Sequence, residues 1–208
     1  MARYTNAICK LCRSYGEKLF LKGTRCNTDK CSVAKRAFAP GQHGKKRRKE
    51  SNYGTQLKEK QKAKRIYGML ERQFSKYFQM AEKEKGVTGH TLLQMLERRL
   101  DNVVFRLNFA YSRSQARQLV RHGHVQVNSR KVNIPSYMIK VGDVVEMRGK
   151  EKNLKKAEDV RKELEDRPIP KWLEPDKDAL KGKVKNLPQR EDLDFSIQEQ
   201  LIVELYSK

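Results

Sequence analysis

The sequence predicts an α+β protein: a zinc-clipped N-terminal arm, a mostly helical domain, and a small module of helices packed on a short antiparallel β-sheet. Three observations predict it. The only four cysteines, Cys9, Cys12, Cys26 and Cys31, fall in two close pairs near the N-terminus. Apolar residues recur at helical spacing between about 52 and 107. From 112 onward a capped helix gives way to short alternating segments separated by turn residues.

The cysteines follow the pattern C-x2-C-x13-C-x4-C. Two close pairs separated by a short loop can wrap four thiolates around one tetrahedral zinc ion. Four sulfur ligands leave no position for water, so such an ion is a structural clip rather than a catalyst. An iron–sulfur cluster takes the same thiolates and stays open as the alternative. Residues 1–50 show little helical periodicity and contain Gly16, Gly23, Gly41 and Gly44. They read as an extended, metal-clipped region with short turns. It ends in Pro40-Gly41-Gln42-His43-Gly44 and then Lys45-Lys46-Arg47-Arg48-Lys49. Five consecutive cations cannot pack on one another; they need water or phosphate.

Ser51 is the expected N-cap of a lysine-rich helix over 52–66, ended by Gly68. A second helix over 70–85 places Leu70, Phe74, Phe78 and Ala81 on one face. A third, over 90–107, carries the stripe Leu92, Leu93, Leu96, Leu100, Val103, Val104 and Leu107. Ser112-Arg113-Ser114-Gln115 then forms a capping box that opens a helix over 113–121. Ala116, Leu119 and Val120 are expected inside, and Arg113, Arg117 and Arg121 line the outer face. Gly123 stops this helix. Val125–Val127 alternates as a strand, Asn128-Ser129 turns, and Arg130-Lys131-Val132 returns. Asn-Ser stands where Asn-Gly is the usual two-residue turn, so some strain is expected there. Val144–Met147 is another short strand. Residues 150–166 read as a charged helix. Pro168, Pro170 and Pro175 break the chain, and Leu201–Tyr206 reads as a buried closing strand. The expected domains are 1–50, 51–98 with part of 175–208 packing back, 99–160, and 161–208.

Lys and Arg number 47 against 25 Asp and Glu, a net charge of +22. The excess is polarised: residues 1–65 hold 19 basic and 4 acidic side chains, residues 175–208 hold 6 and 7. A polarised basic surface offers one face to a polyanion, and nucleic acid is the expected one. No membrane-spanning run, lipidation signal or signal-peptide core is present, so the expected compartment is the cytosol. Thiols stay reduced there, which favours metal over disulfides. A mean hydropathy of −0.88 suggests that part of the chain orders only against its partner. There are no paired carboxylates, phosphate loop or nucleophile–base arrangement, so no enzymatic activity is expected.

The cysteine pattern, the Pro-Gly-Gln-His-Gly element and the run from Ser112 to His124 together resemble the bacterial small-subunit ribosomal protein S-four family, in its zinc-bearing variant. The resemblance spans essentially the whole chain, through Glu199–Glu204. Residues 99–160 resemble the small RNA-binding domain of that family, which RNA-modifying enzymes and a tRNA synthetase also carry. The resemblance implies a primary binder of small-subunit rRNA that recognises a helix junction in the 5′ domain and nucleates assembly of the body. It also implies contact with ribosomal protein S-five, a place beside mRNA at the entrance channel and a part in decoding accuracy. Some members repress translation of their own operon. No membrane or small-molecule partner is implied.

The expected metal ligands are Cys9, Cys12, Cys26 and Cys31. The expected RNA-binding residues are Gly41, Gln42, His43, Gly44, Lys45, Lys46, Arg47, Arg48 and Lys49 in the arm, with Arg113, Arg117, Arg121, His124, Arg130 and Lys131 in the module. No acidic residue lies between 102 and 142 to balance the arginines. Tyr53 and Tyr111 are the aromatic residues placed to stack on a base. The rival readings are an RNA-directed enzyme using the same small domain and a free regulatory RNA-binding protein.

Overall fold

A computed structural model describes residues 4–46, 49–176, 179–193 and 196–207. The chain forms two compact units. The first comprises residues 1–92 and 195–208, the second residues 93–194.

The arm of the first unit is not extended. It holds helix α1 (Ile8–Tyr15), a 3-10 turn at Gly23–Asn27 and the single turn α2 (Ser32–Lys35). Cys9 and Cys12 are three residues apart, and one helical turn puts them on a common face. Gly16, at φ 75°, ends α1 in the left-handed conformation with its N–H bonded to the Arg13 carbonyl. Helix α3 (Asn52–Ile66) starts at the expected cap, where Ser51 Oγ accepts the Gly54 N–H at 3.2 Å. Helix α4 (Glu71–Lys83) buries Phe74, Tyr77, Phe78 and Ala81. The lysines of α3 do not simply face water. Lys60, Lys62 and Lys64 are buried. Lys60 and Lys64 both bind Glu71 at 2.6 Å, and Lys62 binds Glu17 at 2.7 Å.

The closing strand expected at Leu201–Tyr206 is a helix, α9 (Glu199–Tyr206). A short apolar run does not distinguish a strand from a buried helix. Ile202 is fully buried, and the Tyr206 ring stacks on Phe78 at 4.3 Å and donates its hydroxyl to Glu71 at 3.1 Å. Gln56 Nε2 donates to Glu204 at 2.8 Å, tying α9 to α3.

Helix α5 (Thr88–Glu97) carries the chain into the second unit. The single helix expected over 90–107 is broken after it. Arg99 leaves the helix with ψ 136° and bridges Met138. Helix α6 (Leu100–Arg106) begins there, with the N–H groups of Leu100 and Asp101 donating to Tyr137 and Pro135 at 2.9 and 3.1 Å. Then come α7 (Arg113–Arg121), β1 (Val125–Val127), β2 (Arg130–Lys131), β3 (Val144–Met147), α8 (Glu151–Glu163), β4 (Leu173–Pro175) and β5 (Lys181–Val184). The sheet is antiparallel in the order β2-β1-β3-β5-β4.

Strands β4 and β5 were not expected. Their Pro175 and Gly182 argue against strand in sequence. Gly182 is required because a Cβ there would lie 2.4 Å from Leu107 Cδ2. Because β5 pairs with β3, residues 161–194 belong to the same unit as the module. The core joins Val103, Leu107, Ala116, Val120, Val145 and Trp172.

The Asn128-Ser129 turn has positive φ at both central residues, 49° and 64°. That is the I′ hairpin geometry. Asn128 adapts to it by bonding outward: its Nδ2 donates to Asp143 Oδ1 at 2.7 Å and its Oδ1 accepts the Val144 N–H at 2.9 Å. Ser129 makes no comparable bond among the described residues. A left-handed L-residue costs about 1–2 kcal/mol, and glycine's extra freedom when unfolded returns about half of that. Ser129→Gly should therefore stabilise the second unit by about 0.5–1 kcal/mol. A thermal melt checks this, and an unchanged or lower midpoint contradicts it.

The Glu71 cluster sets an acid sensitivity in the first unit. Burial alone would raise the Glu71 carboxyl, but hydrogen bonds from Lys60 and Lys64 outweigh it and hold the pKa at about 2. A depressed carboxyl favours the folded state above its unfolded pKa, and the contribution is lost as pH falls through the folded one. The stability gap between the native chain and Glu71→Gln should thus shrink from about pH 4.5 to about pH 2. A gap that stays constant across that window would refute the assignment.

Candidate nucleic-acid interface and metal centre

All four cysteines line one small pocket, together with Ile8, Leu21, Lys22, Arg25 and Ser32. Cys9 and Cys12 come from α1, Cys26 from the 3-10 turn, and Cys31 sits at the N-cap of α2. Cys9 is half-buried, the other three are buried, and none is in a disulfide. The Lys22 N–H donates to Cys26 Sγ at 3.4 Å, and Ser32 Oγ donates to the Cys9 carbonyl at 3.3 Å. Burial pushes the Cys12 and Cys26 thiols up, against backbone N–H groups of Leu19 and Lys22 respectively. Burial also acts on Cys31, but the N–H groups of Ala34 and Val33, with Lys18 and Arg25, outweigh it and bring that thiol down. Among the described residues, no group of three or more His, Cys, Asp or Glu side chains is arranged to hold a metal ion. The sulfurs share a pocket without being drawn together into a ligand set.

The Gly41–Gly44 loop follows α2. Gly41 has φ 99°, and the Gly44 N–H donates to its carbonyl at 3.3 Å. No side chain fits at 44, since a Cβ would lie 1.9 Å from the Ala39 oxygen. Gln42, His43, Lys45, Lys46 and Lys49 are exposed. Arg47 and Arg48 lie outside the described residues.

The arginine row of α7 does not form one outward face. Arg113 is buried: its Nε donates to Asn102 Oδ1 at 2.8 Å and its guanidinium lies 4.3 Å over the Phe105 ring. Arg117 is half-buried and pairs with Asp101 at 3.2 Å. Of the three only Arg121 is exposed; the expected inner face holds, with Ala116 and Val120 fully buried and Leu119 half-buried against the core. Asp101 and Asn102 on α6 offer acceptors to the first turns of α7 and draw Arg113 and Arg117 inward beside that inner face. The cap itself is as expected at Ser112, whose Oγ accepts the Gln115 N–H at 3.3 Å. Gln115 reaches back one residue further than a standard capping box, taking the Tyr111 N–H at 2.9 Å.

A basic surface does form at the C-terminal end of α7. The Lys131 side chain lies against Gly123, where a Cβ would come within 2.3 Å of its Cε. His122 and His124 stack at 6.3 Å, and the His124 carbonyl accepts the Arg148 N–H at 2.8 Å. Arg121, Arg130, Lys131, Arg148 and Lys150 are exposed here, and among the described residues none of them pairs with a carboxylate. Sequence reasoning missed Arg148 and Lys150; their signal was a Gly149 between two cations just after a strand. Tyr111 is engaged otherwise than expected. Its hydroxyl donates to Glu163 at 2.6 Å, and this bond, with burial, raises its pKa to about 12. Tyr53 is 58% exposed.

Two neighbouring changes separate fold from surface. Arg113→Ala strands the Asn102–Glu97 network and should destabilise the second unit by about 2–3 kcal/mol. Arg121→Ala should stay within about 0.5 kcal/mol of the native chain. Chemical denaturation of both variants checks this, and equal losses would show that Arg121 is also a structural group.

Residues 3–97 match the family model described as Ribosomal protein S4/S9 N-terminal domain, and residues 98–145 match that of the S4 domain. The chain is 59% identical to the small ribosomal subunit protein uS4 of Acetivibrio thermocellus and 61% identical to that of Ruminiclostridium cellulolyticum, over 208 residues and the full length of both chains in each case. It is 58% identical to that of Caldicellulosiruptor saccharolyticus over the same span. Among the described residues no helix is long and apolar enough to cross a membrane.

Proposed function

The chain belongs to the uS4 family of small-ribosomal-subunit proteins, and from that premise we propose that it binds small-subunit rRNA as a structural part of the cytoplasmic ribosome. The relatives are ribosomal proteins by name and not enzymes. The observation that carries the RNA reading is the sorting of charge in the second unit. Arginines beside a carboxylate or amide are buried or half-buried, while among the described residues the cations around the end of α7 face solvent and pair with no carboxylate. Such a cluster fits the phosphates of a folded RNA, where contacts go to backbone and shape more than to base edges.

The finer reading follows the same line. The protein binds a helix junction in the 5′ domain and nucleates assembly of the body. It lies against ribosomal protein S-five, near mRNA at the entrance channel, and contributes there to decoding accuracy. Repression of its own operon is the secondary role. The supporting features are the family, the exposed basic loop over 41–46 in the first unit and the α7 end in the second.

The donor set of the cysteine pocket fits one structural zinc. Cys9, Cys12, Cys26 and Cys31 would hold it, after their side chains close from the arrangement seen. Bound there, zinc supplies a cross-link and no reactive position. Reduced, purified protein should contain about one zinc per chain, and chelation should loosen the arm while the second unit, which has none of the ligands, stays folded. Metal-free protein with an unchanged arm would defeat the clip.

Binding to a transcript of the 5′ domain should weaken log-linearly with salt. Arg121→Ala and Lys131→Ala should each reduce the slope by about one contact. Salt-independent binding would overturn the electrostatic account.

A further inference from the structure

We propose that Arg13 is the positioning residue that couples the cysteine pocket to the basic loop, so that the two act as one element. The proposal rests on reading that loop as an rRNA contact. Arg13 directly follows Cys12 on α1. Its side chain turns away from the pocket and crosses to a segment 25 residues later. Nε donates to the Phe38 carbonyl at 3.0 Å and Nη2 to the Ala39 carbonyl at 3.3 Å. The same guanidinium sits 5.1 Å over the Phe38 ring, and Lys45 Nζ sits 5.4 Å from that ring centroid. One aromatic ring thus lies between the clamp and the first cation of the Lys45–Lys49 run.

The bonded carbonyls are the two that precede Pro40-Gly41, where the loop begins. Ala39 is fixed from both sides: Arg13 holds its oxygen, and Gly44 folds back on the same oxygen so closely that no side chain fits. The loop closes on itself through Gly44 N–H to Gly41 and Lys46 N–H to His43 at 3.3 and 3.0 Å. These are two local bonds in a basic, largely exposed segment. Without an anchor at its start, the loop would present its cations in many arrangements and lose that ordering entropy on binding. The anchor is borne by the helix that supplies two of the four cysteines. A shift of α1 on closing or opening the cysteine pocket therefore moves the carbonyls that Arg13 holds.

The chemistry needs arginine. A planar guanidinium donates to two carbonyls while stacking on a ring; an ammonium is a point donor that does not do both. A plain phosphate ligand at this position would instead need only the charge. Arg13→Lys separates these roles.

The test uses the full chain and a 5′-domain rRNA transcript, titrated at several salt concentrations. The variants are Arg13→Lys, Lys45→Ala with Lys46→Ala, and all three changes together. The lysine pair should lower the salt slope by about two and weaken binding roughly fivefold to tenfold per lost contact near 0.1 M salt. Arg13→Lys, with its charge kept, should lose about as much, and the triple variant no more than either. Thiolate-to-cobalt absorption of the cobalt-loaded protein should be the same in all four chains. Hydrogen exchange at the Gly44 and Lys46 amides should speed up in Arg13→Lys while the Lys35 amide stays protected. Native affinity in Arg13→Lys, losses that add in the triple variant, or unchanged exchange at Gly44 and Lys46 would each overturn the coupling. If the lysine pair itself leaves affinity and slope untouched, the loop is not an rRNA contact, and the proposal falls with that reading rather than through Arg13.

Discussion

Two buried carboxylates organise the second unit. Glu97 takes Arg106 in a two-pronged pair at 3.0 Å and the Asn102 amide at 2.7 Å. Asp101 takes Arg99 at 3.0 and 2.7 Å and Arg117 at 3.2 Å. Asn102 passes the chain on to Arg113. Four guanidinium groups are thus gathered around two carboxylates and one amide, nearly all out of water. Burying such charges is costly, and removing one partner leaves the rest uncompensated. The network therefore fixes geometry more surely than it adds stability. It places the break between α5 and α6, draws Arg113 and Arg117 inward, and so decides which arginine of α7 reaches solvent.

Phe105 shows the same logic from the apolar side. Arg113 and Arg167 lie 4.3 and 4.2 Å from its ring centroid. Arg167 also donates to the Phe105 carbonyl and to Asn108, which turns the chain at φ 62°. Arg161 reaches the carbonyls of Asp176 and Ala179 just before β5. Arginine is the tie between α6, α8 and the late strands. A basic composition of this kind is not all surface.

That explains what was legible in the sequence and what was not. The capped helices at Ser51 and Ser112 were legible because caps and stops are local chemistry. The cysteine cluster was legible because pairs close in sequence start close in space, and the four residues do share a pocket. The inward turn of Arg113 and Arg117 was not, because Asp101 lies one residue outside the acid-free window that made the arginines look unbalanced. A count along the chain does not see a partner across a helix–helix contact. The late strands were hidden by Pro175 and Gly182, residues that suit a tight sheet against Leu107 but weaken any strand signal. The last helix was hidden by length: an apolar run of six has too few turns to show its period.

Sorting the cations also bears on why such a chain carries so large a charge. Lys60, Lys62 and Lys64 in the first unit, and Arg99, Arg106, Arg113 and Arg117 in the second, are matched internally by a handful of carboxylates or amides. The net charge of +22 remains whatever these pairs do, and most of it lies at the surface. Self-repulsion of that excess opposes compactness in the unbound protein. A polyanion that binds the folded chain relieves the repulsion and, by mass action, raises its stability. Among the described residues Glu97 and Asp101 are the carboxylates spent in the core, and the positive excess left over is what a polyanion would relieve.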